Sequence, residues 1–251
     1  MTGRSLIGLA AVLFGLACGS QREEVAPPPS AVVNPGAAAA DVASAERVTA
    51  PAAVNSADLP IAPDSVAERY LVNVRSLDST ISVDARYFGR NNFTGVPLPG
   101  YEANEVWLRR EAAEALVRAH AEFLKNGYGL LLWDGYRPAR ATDAMVEWTQ
   151  RVGRTDLVTD GYIADRSRHN LGLAIDLTLV RRATGMQLEM GTPFDTFTEA
   201  AHTTNASGTV EQNRQLLVRV LESHGFSNYA NEWWHFSFNV PNPLRFDIPI
   251  R

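Results

Sequence analysis

Apolar positions divide the chain into segments of two distinct periods. In "EVWLRREAAEALVRAHAEFLKNG", residues 105–127, Ala112, Ala113, Leu116, Val117, His120, Phe123 and Leu124 recur at helical spacing. That pattern predicts a helix which Gly127 stops. "YGLLLW" follows as a short apolar run into "DGYRP", which predicts a strand ending in a turn. Pro138 then opens a second helix over "PARATDAMVEWTQRVG", at the first-turn position that tolerates proline. "LGLAIDLTLV" reads as a strand whose Leu173, Ile175, Leu177 and Leu179 point one way and Ala174, Asp176 and Thr178 the other. "RRATGMQLEMG" predicts a turn around Gly185 leading into a further short strand. "TVEQNRQLLVRVLESHG" predicts a helix with a capping box of Thr209 and Gln212, an apolar stripe of Leu216, Leu217, Val220 and Leu221, and a stop at Gly225. "WWHFSFN" is the final strand.

These elements mix without a regular strand–helix–strand alternation. The fold class predicted is α+β, a mainly antiparallel sheet with helices packed on one face.

The N-terminal region departs from this patterning. "MTGRSLIGLAAVLFGLACGS" places Arg4 before an apolar run from Leu6 to Leu16 and then small residues. That run is short for a membrane span and reads as the core of an export signal. Cys18 is the only cysteine and ends the run in "GLAC", which resembles the lipid-attachment site of bacterial lipoproteins, although Gly15 stands where that pattern has Leu, Val or Ile. The expectation is a lipoprotein-type signal over residues 1–18, with Cys18 lipidated and the mature protein anchored on a membrane of the bacterial envelope. The other reading is a plain signal peptide. With Cys18 used as an anchor, no thiol remains for a disulfide. Residues 19–65, rich in Ala and Pro, predict a disordered linker. Residues 66–251 form the predicted domain.

A net charge of −5 and a pI near 5.6 offer no basic footprint, so nucleic acid is excluded as an expected partner. No protein partner is predicted either.

The chemistry lies in two short stretches. Asp176 falls on the strand face away from the Leu/Ile positions. In the last strand, Trp233, His235 and Ser237 share one face, and Trp234, Phe236 and Phe238 the other. His169 precedes Asp176 in "SRHNLGLAID", and Gly172 permits a turn that returns it toward the strand. Two histidines and one aspartate are a donor set for a divalent cation with an open position, the arrangement of catalytic zinc. Such a site needs a base, and Glu232 in "NEWWH" is the candidate. Strand parity would turn Glu232 away from His235, so Glu232 is expected in the turn before the strand. Either half of the pattern alone is weak. A lone histidine is more often structural.

Together, "SRHNLGLAID" and "EWWH" resemble the paired signatures of the zinc D-Ala-D-Ala peptidases, whose fold is shared with the Hedgehog signalling domain. "NNFTGVPLPGYEAN", "GYGLLLWDGYRPARA" and "MGTPFD" agree, in order, with the D-alanyl-D-alanine dipeptidases of the VanX type. The resemblance runs from about Leu71 to the C-terminus. It implies one Zn2+ held by His169, Asp176 and His235, with Glu232 as catalytic acid/base and Arg137 stabilising the tetrahedral intermediate. It also implies that Asp195 recognises the substrate ammonium group and that Ser167 contacts substrate. From residue chemistry alone, Arg137 could instead be a structural ion pair to Asp134, and Asp195 a cap or surface acid. Trp233 and Trp234 read as the mount for His235. His120, His202 and His224 read as structural or solvated. The function implied is hydrolysis of the D-Ala-D-Ala dipeptide in cell-wall metabolism. The alternatives are a D,D-carboxypeptidase acting on peptidoglycan stem peptides and a non-catalytic zinc-stabilised binding module.

Overall fold

Strand β5 (Ala174–Arg181) runs through the middle of the sheet and is buried on both faces for all but its last residue. The computed structural model describes residues 59–251. The expected export signal, Cys18 and most of the expected linker lie outside the described residues. The described residues reach past the expected boundary at 66 on its N-terminal side. Ala62 N–H donates to the Arg245 carbonyl at 2.8 Å, and helix α1 (Asp64–Tyr70) starts two residues early.

The remaining elements are β1 (Leu71–Asn73), α2 (Val74–Leu77), β2 (Ser82–Val83), β3 (Trp107–Arg109), α3 (Arg110–Lys125), β4 (Tyr128–Asp134), α4 (Ala139–Val152), α5 (Asp156–Thr159), α6 (Gly208–Ser223), β6 (Phe226–Tyr229) and β7 (Glu232–Phe238). A five-stranded sheet has the order β2-β4-β5-β7-β6. Only the β2–β4 pairing is parallel; β4–β5, β5–β7 and β6–β7 are antiparallel. β1 and β3 form a separate antiparallel pair.

Alternation explains the layers. Leu130 pairs with Leu179 and Leu132 with Leu177, and Ile175 pairs with Phe236. These residues share one sheet face. They pack with Ala112, Ala115, Leu116, Ala119 and Phe123 of α3 and Leu217, Val220 and Leu221 of α6 in one buried cluster. The expected helix-covered face is therefore built from α3 and α6. α4 belongs elsewhere: Ala141 and Met145 join a second cluster with Tyr87, Tyr101, Tyr136, Phe246 and Ile248.

Several local expectations change. Residues 107–109 leave the predicted helix to form β3, because Leu71, Val72 and Asn73 offer a strand partner; tertiary pairing overrides helical spacing here. Pro138 stands one position before α4 rather than inside it. The short strand expected after Gly185 reduces to one bridge between Val180 and Gln187. The Thr209 capping box is not formed. Ser207 occupies the N-cap position without a side-chain hydrogen bond, which puts Thr209 inside the first turn.

Between β5 and α6 the chain is a long loop held from within. The buried Arg214 of α6 donates from Nε to the Met190 carbonyl at 2.9 Å, and from Nη1 and Nη2 to those of His202 at 2.7 Å and Ala200 at 3.1 Å. Asn213 Nδ2 adds a bond to the Glu189 carbonyl at 2.8 Å.

Candidate active site

Asp176 and His235 are direct partners across β5 and β7, on the sheet face that α3 and α6 leave uncovered. The expected shared face is present. His169 comes to them from a 3-10 turn over Arg168–Leu171. Ser167 Oγ accepts from His169 N–H at 3.2 Å and so caps that turn. Gly172 ends it with φ +64, and a Cβ there would lie 2.6 Å from Leu71 Cδ2 and 2.9 Å from Arg109 N. Only glycine fits both the backbone and the space.

The three side chains place one donor atom each within 4.8 Å of one another. His235 Nδ1 is 2.9 Å from Asp176 Oδ1 and 3.2 Å from His169 Nε2. His169 Nε2 is 3.4 Å from Asp176 Oδ2. Donors about 2.0 Å from a tetrahedral zinc stand about 3.3 Å apart, so these spacings fit the ion. The tautomer fits as well. His169 Nδ1 lies 2.6 Å from the Gly135 carbonyl, which takes a proton at Nδ1 and leaves the Nε2 lone pair facing the other donors. Burial works to raise the Asp176 carboxyl, but the charge and hydrogen bonds of His169 and His235 outweigh it and hold it below the usual carboxylate range. Burial pushes the His235 imidazole down, toward the neutral form a metal ligand needs.

Glu232 is buried beside this group, with Oε2 3.9 Å from His235 Nδ1. It is the first residue of β7 rather than part of the preceding turn. The parity objection fails because pairing to β5 covers only His235–Ser237, and the register to β6 jumps between Asn228↔Phe236 and Tyr229↔Glu232. Strict alternation is lost over residues 232–234, and Glu232, Trp234 and His235 all line one cavity. Burial, with the Asp176 and Asp195 charges, pushes the Glu232 carboxyl well above its ordinary range.

Arg137 forms the ion pair to Asp134 that its residue chemistry allowed, and it also lines the cavity. Its Nε and Nη2 donate to Asp134 Oδ2 at 3.0 and 2.8 Å, and its guanidinium still lines the cavity. Burial alone would lower it, but the Asp134 charge raises it further, so it is cationic throughout. Asn170 Nδ2 fixes the same segment through the Arg137 carbonyl at 2.9 Å.

Asp195 is neither a cap nor a surface acid. Its carboxyl faces the cavity and accepts from the Tyr87 hydroxyl at 3.1 and 3.2 Å. Burial and the Asp176 charge push it up to about 8. Its backbone has φ 58, the one non-glycine residue in the left-handed region among those described, and such strain gathers at functional positions.

The cavity has a volume of about 360 Å3, and Ser167 and Ile163 also line it. A larger neighbour of about 570 Å3, floored by Trp133 and Thr178, shares Asp195 but contains none of the three donor residues. The donor group and Glu232 line the smaller cavity. Trp233 lies nearer the larger one, where its Nε1 donates to Thr192 Oγ1 at 2.8 Å. Tyr87 and the Gly135 carbonyl escaped the sequence reading, because no local spacing marks them. His202 pairs with the Tyr162 hydroxyl at 3.2 Å, His224 with Glu122 at 2.9 Å, and His120 with Thr80 at 3.1 Å; none of the three joins the donor group.

A family model described as D-ala-D-ala dipeptidase matches residues 67–242, a span that includes every cavity residue named above. The chain belongs to the D-Ala-D-Ala dipeptidase family. Members of this family are metallopeptidases. Its similarity to a D-alanyl-D-alanine dipeptidase of Enterococcus faecium is 39% identity over 186 residues, covering 67% of this chain and 92% of that one. A dipeptidase of the same description from Enterococcus faecalis is 41% identical over 168 residues, 61% of this chain and 83% of the relative. One from Streptomyces coelicolor is 37% identical over 194 residues, 70% and 96%.

Proposed function

We propose that this protein is a zinc dipeptidase that hydrolyses D-Ala-D-Ala. The observation that supports this best is the Asp195 carboxyl, held by Tyr87, in the same 360 Å3 cavity as the donor group and Glu232. An ammonium binder this close to the hydrolytic group selects a free dipeptide. A longer chain has an amide where the ammonium should be, and gives the Asp195 carboxylate no cationic partner.

His169, Asp176 and His235 would hold one Zn2+, which when bound supplies Lewis acidity that acidifies water and polarises a carbonyl. Glu232 accepts the proton of the attacking water and passes it to the leaving amine nitrogen, a task that suits a carboxyl raised toward neutrality. Arg137, with two of its donors committed to Asp134 and Nη1 also donating to Met145 Sδ at 3.2 Å, offers its uncommitted N–H groups to the carbonyl oxygen as charge develops. Asp195 and Tyr87 orient the ammonium end, and Ser167 holds the turn that carries His169.

The test is release of D-alanine from D-Ala-D-Ala by the zinc-loaded protein, with chelator and L-Ala-L-Ala as controls. Hydrolysis of the D,D substrate alone, abolished by chelator, is expected. Hydrolysis of a stem pentapeptide in its place would replace this reading with a D,D-carboxypeptidase. Zinc binding without any hydrolysis would leave a binding module. Export and anchoring at Cys18 in the bacterial envelope are part of the proposal. Labelled fatty acid incorporated into the wild type and not into Cys18→Ala is the expected result.

A further inference from the structure

A free dipeptide has a third group to place, its terminal carboxylate. The walls that carry Asp176, Asp195 and Glu232 offer it no partner, so it needs a cationic group of its own. The lining also contains three arginines, Arg137, Arg166 and Arg168. Two are committed. Arg137 is bound to Asp134, and Arg168 Nη2 donates to the Phe238 carbonyl at 2.6 Å and Asn239 Oδ1 at 2.8 Å. Arg166 makes no hydrogen bond among the described residues. Its nearest carboxylate is the neighbouring Asp165 at 3.9 Å, with the Arg166 side chain 53% exposed.

We propose that Arg166 takes the substrate's terminal carboxylate and thereby sets the preference for a free C-terminal acid. This rests on the dipeptidase reading above. The backbone beneath Arg166 is fixed at both ends. On one side, Ser167 caps the turn that presents His169. On the other, the Tyr229 hydroxyl donates to the Gly161 carbonyl at 3.2 Å, and the Tyr162 hydroxyl meets His202. Arg166 therefore lies in the cavity lining between anchored residues, with its side chain half exposed. A guanidinium presents paired N–H groups that match a carboxylate, and its charge offsets the acids around it.

The experiment compares the zinc-loaded wild type, Arg166→Ala and Arg166→Lys on D-Ala-D-Ala and on its C-terminal amide. Arg166→Ala should raise KM for the acid by about tenfold or more, as loss of a charge-assisted hydrogen bond does. Its kcat should stay close to wild type, and the amide should be handled alike by both enzymes. Arg166→Lys should recover part of the loss. Calorimetric binding of D-Ala-D-Ala to Glu232→Gln, with and without Arg166→Ala, should weaken by the same factor. An unchanged KM, or equal weakening toward acid and amide, would overturn the role of Arg166 and leave the dipeptidase reading standing. A wild type that neither binds nor cleaves D-Ala-D-Ala would overturn both.

Discussion

The Tyr101 hydroxyl donates to Asp134 Oδ1 at 2.6 Å, on the oxygen that Arg137 leaves free. Asp134 is thus saturated, since Arg137 holds Oδ2 through Nε and Nη2. The guanidinium is locked before substrate arrives, which is the preorganisation that stabilises developing charge. Arg137→Ala should lower kcat by about 10²–10³-fold with a smaller change in KM. Arg137→Lys should not restore it, because a single ammonium cannot keep the paired contact and reach the carbonyl as well. Steady-state kinetics on both variants decide this.

Glu232→Gln keeps the shape of the side chain and removes its basicity. Turnover should fall by about 10²–10⁴-fold. Zinc content should remain near one ion per chain, because His169, Asp176 and His235 are untouched. Elemental analysis beside the activity assay separates loss of the base from loss of the metal.

Asp195→Asn tests charge without disturbing the backbone, since Asn also tolerates the left-handed region. KM for D-Ala-D-Ala should rise more than kcat falls. The same variant carries a pH signature in the metal-free protein. Burial and Asp176 raise the folded-state carboxyl to about 8, above its value in the unfolded chain. The folded state then binds more protons between these two values, so the contribution of Asp195 to stability is full below about 4 and is lost as pH climbs toward 8. Glu232 acts in the same direction. Urea unfolding across this window should show a shallower decline for Asp195→Asn than for wild type.

The donor group was largely legible in the chain because it depends on local rules. Alternation sets Asp176 apart from Ile175 and Leu177, a glycine at 172 marks the turn, and the last strand repeats the alternation around His235. The limits of legibility follow the range of the interaction. Glu232 was misplaced because a break in pairing over 232–234 resets parity, and such a break depends on which strands lie alongside. Tyr87 meets Asp195 across 108 residues, and the Gly135 carbonyl meets His169 across 34. Residues 107–109 carried a helical pattern, and only the presence of β1 made them a strand.

Gly172→Ala should damage fold and site together. The left-handed backbone alone disfavours the change by about 1–2 kcal/mol, and the added methyl meets Leu71 and the Arg109 backbone. Because that turn presents His169, zinc affinity should fall along with the urea midpoint. Gly153→Ala, also at positive φ but in open space, serves as the control, with lower stability and unchanged zinc affinity.

The hydrogen bonds of Arg214 to the Met190, Ala200 and His202 carbonyls tie residues 190–202 to α6, and the two are expected to open as one unit. The segment has little regular structure beyond one 3-10 turn at Glu199–Ala201, so its order is borrowed from a helix on the far side of the sheet from the reacting groups. Amide protons of the segment and of α6 should exchange with solvent at a common rate, in one opening event. Asp195 rides on that unit. With Asp195 as the proposed ammonium partner, substrate affinity should follow the fraction of molecules in which α6 is docked, and a substitution on the buried side of that helix should weaken binding before the sheet itself gives way.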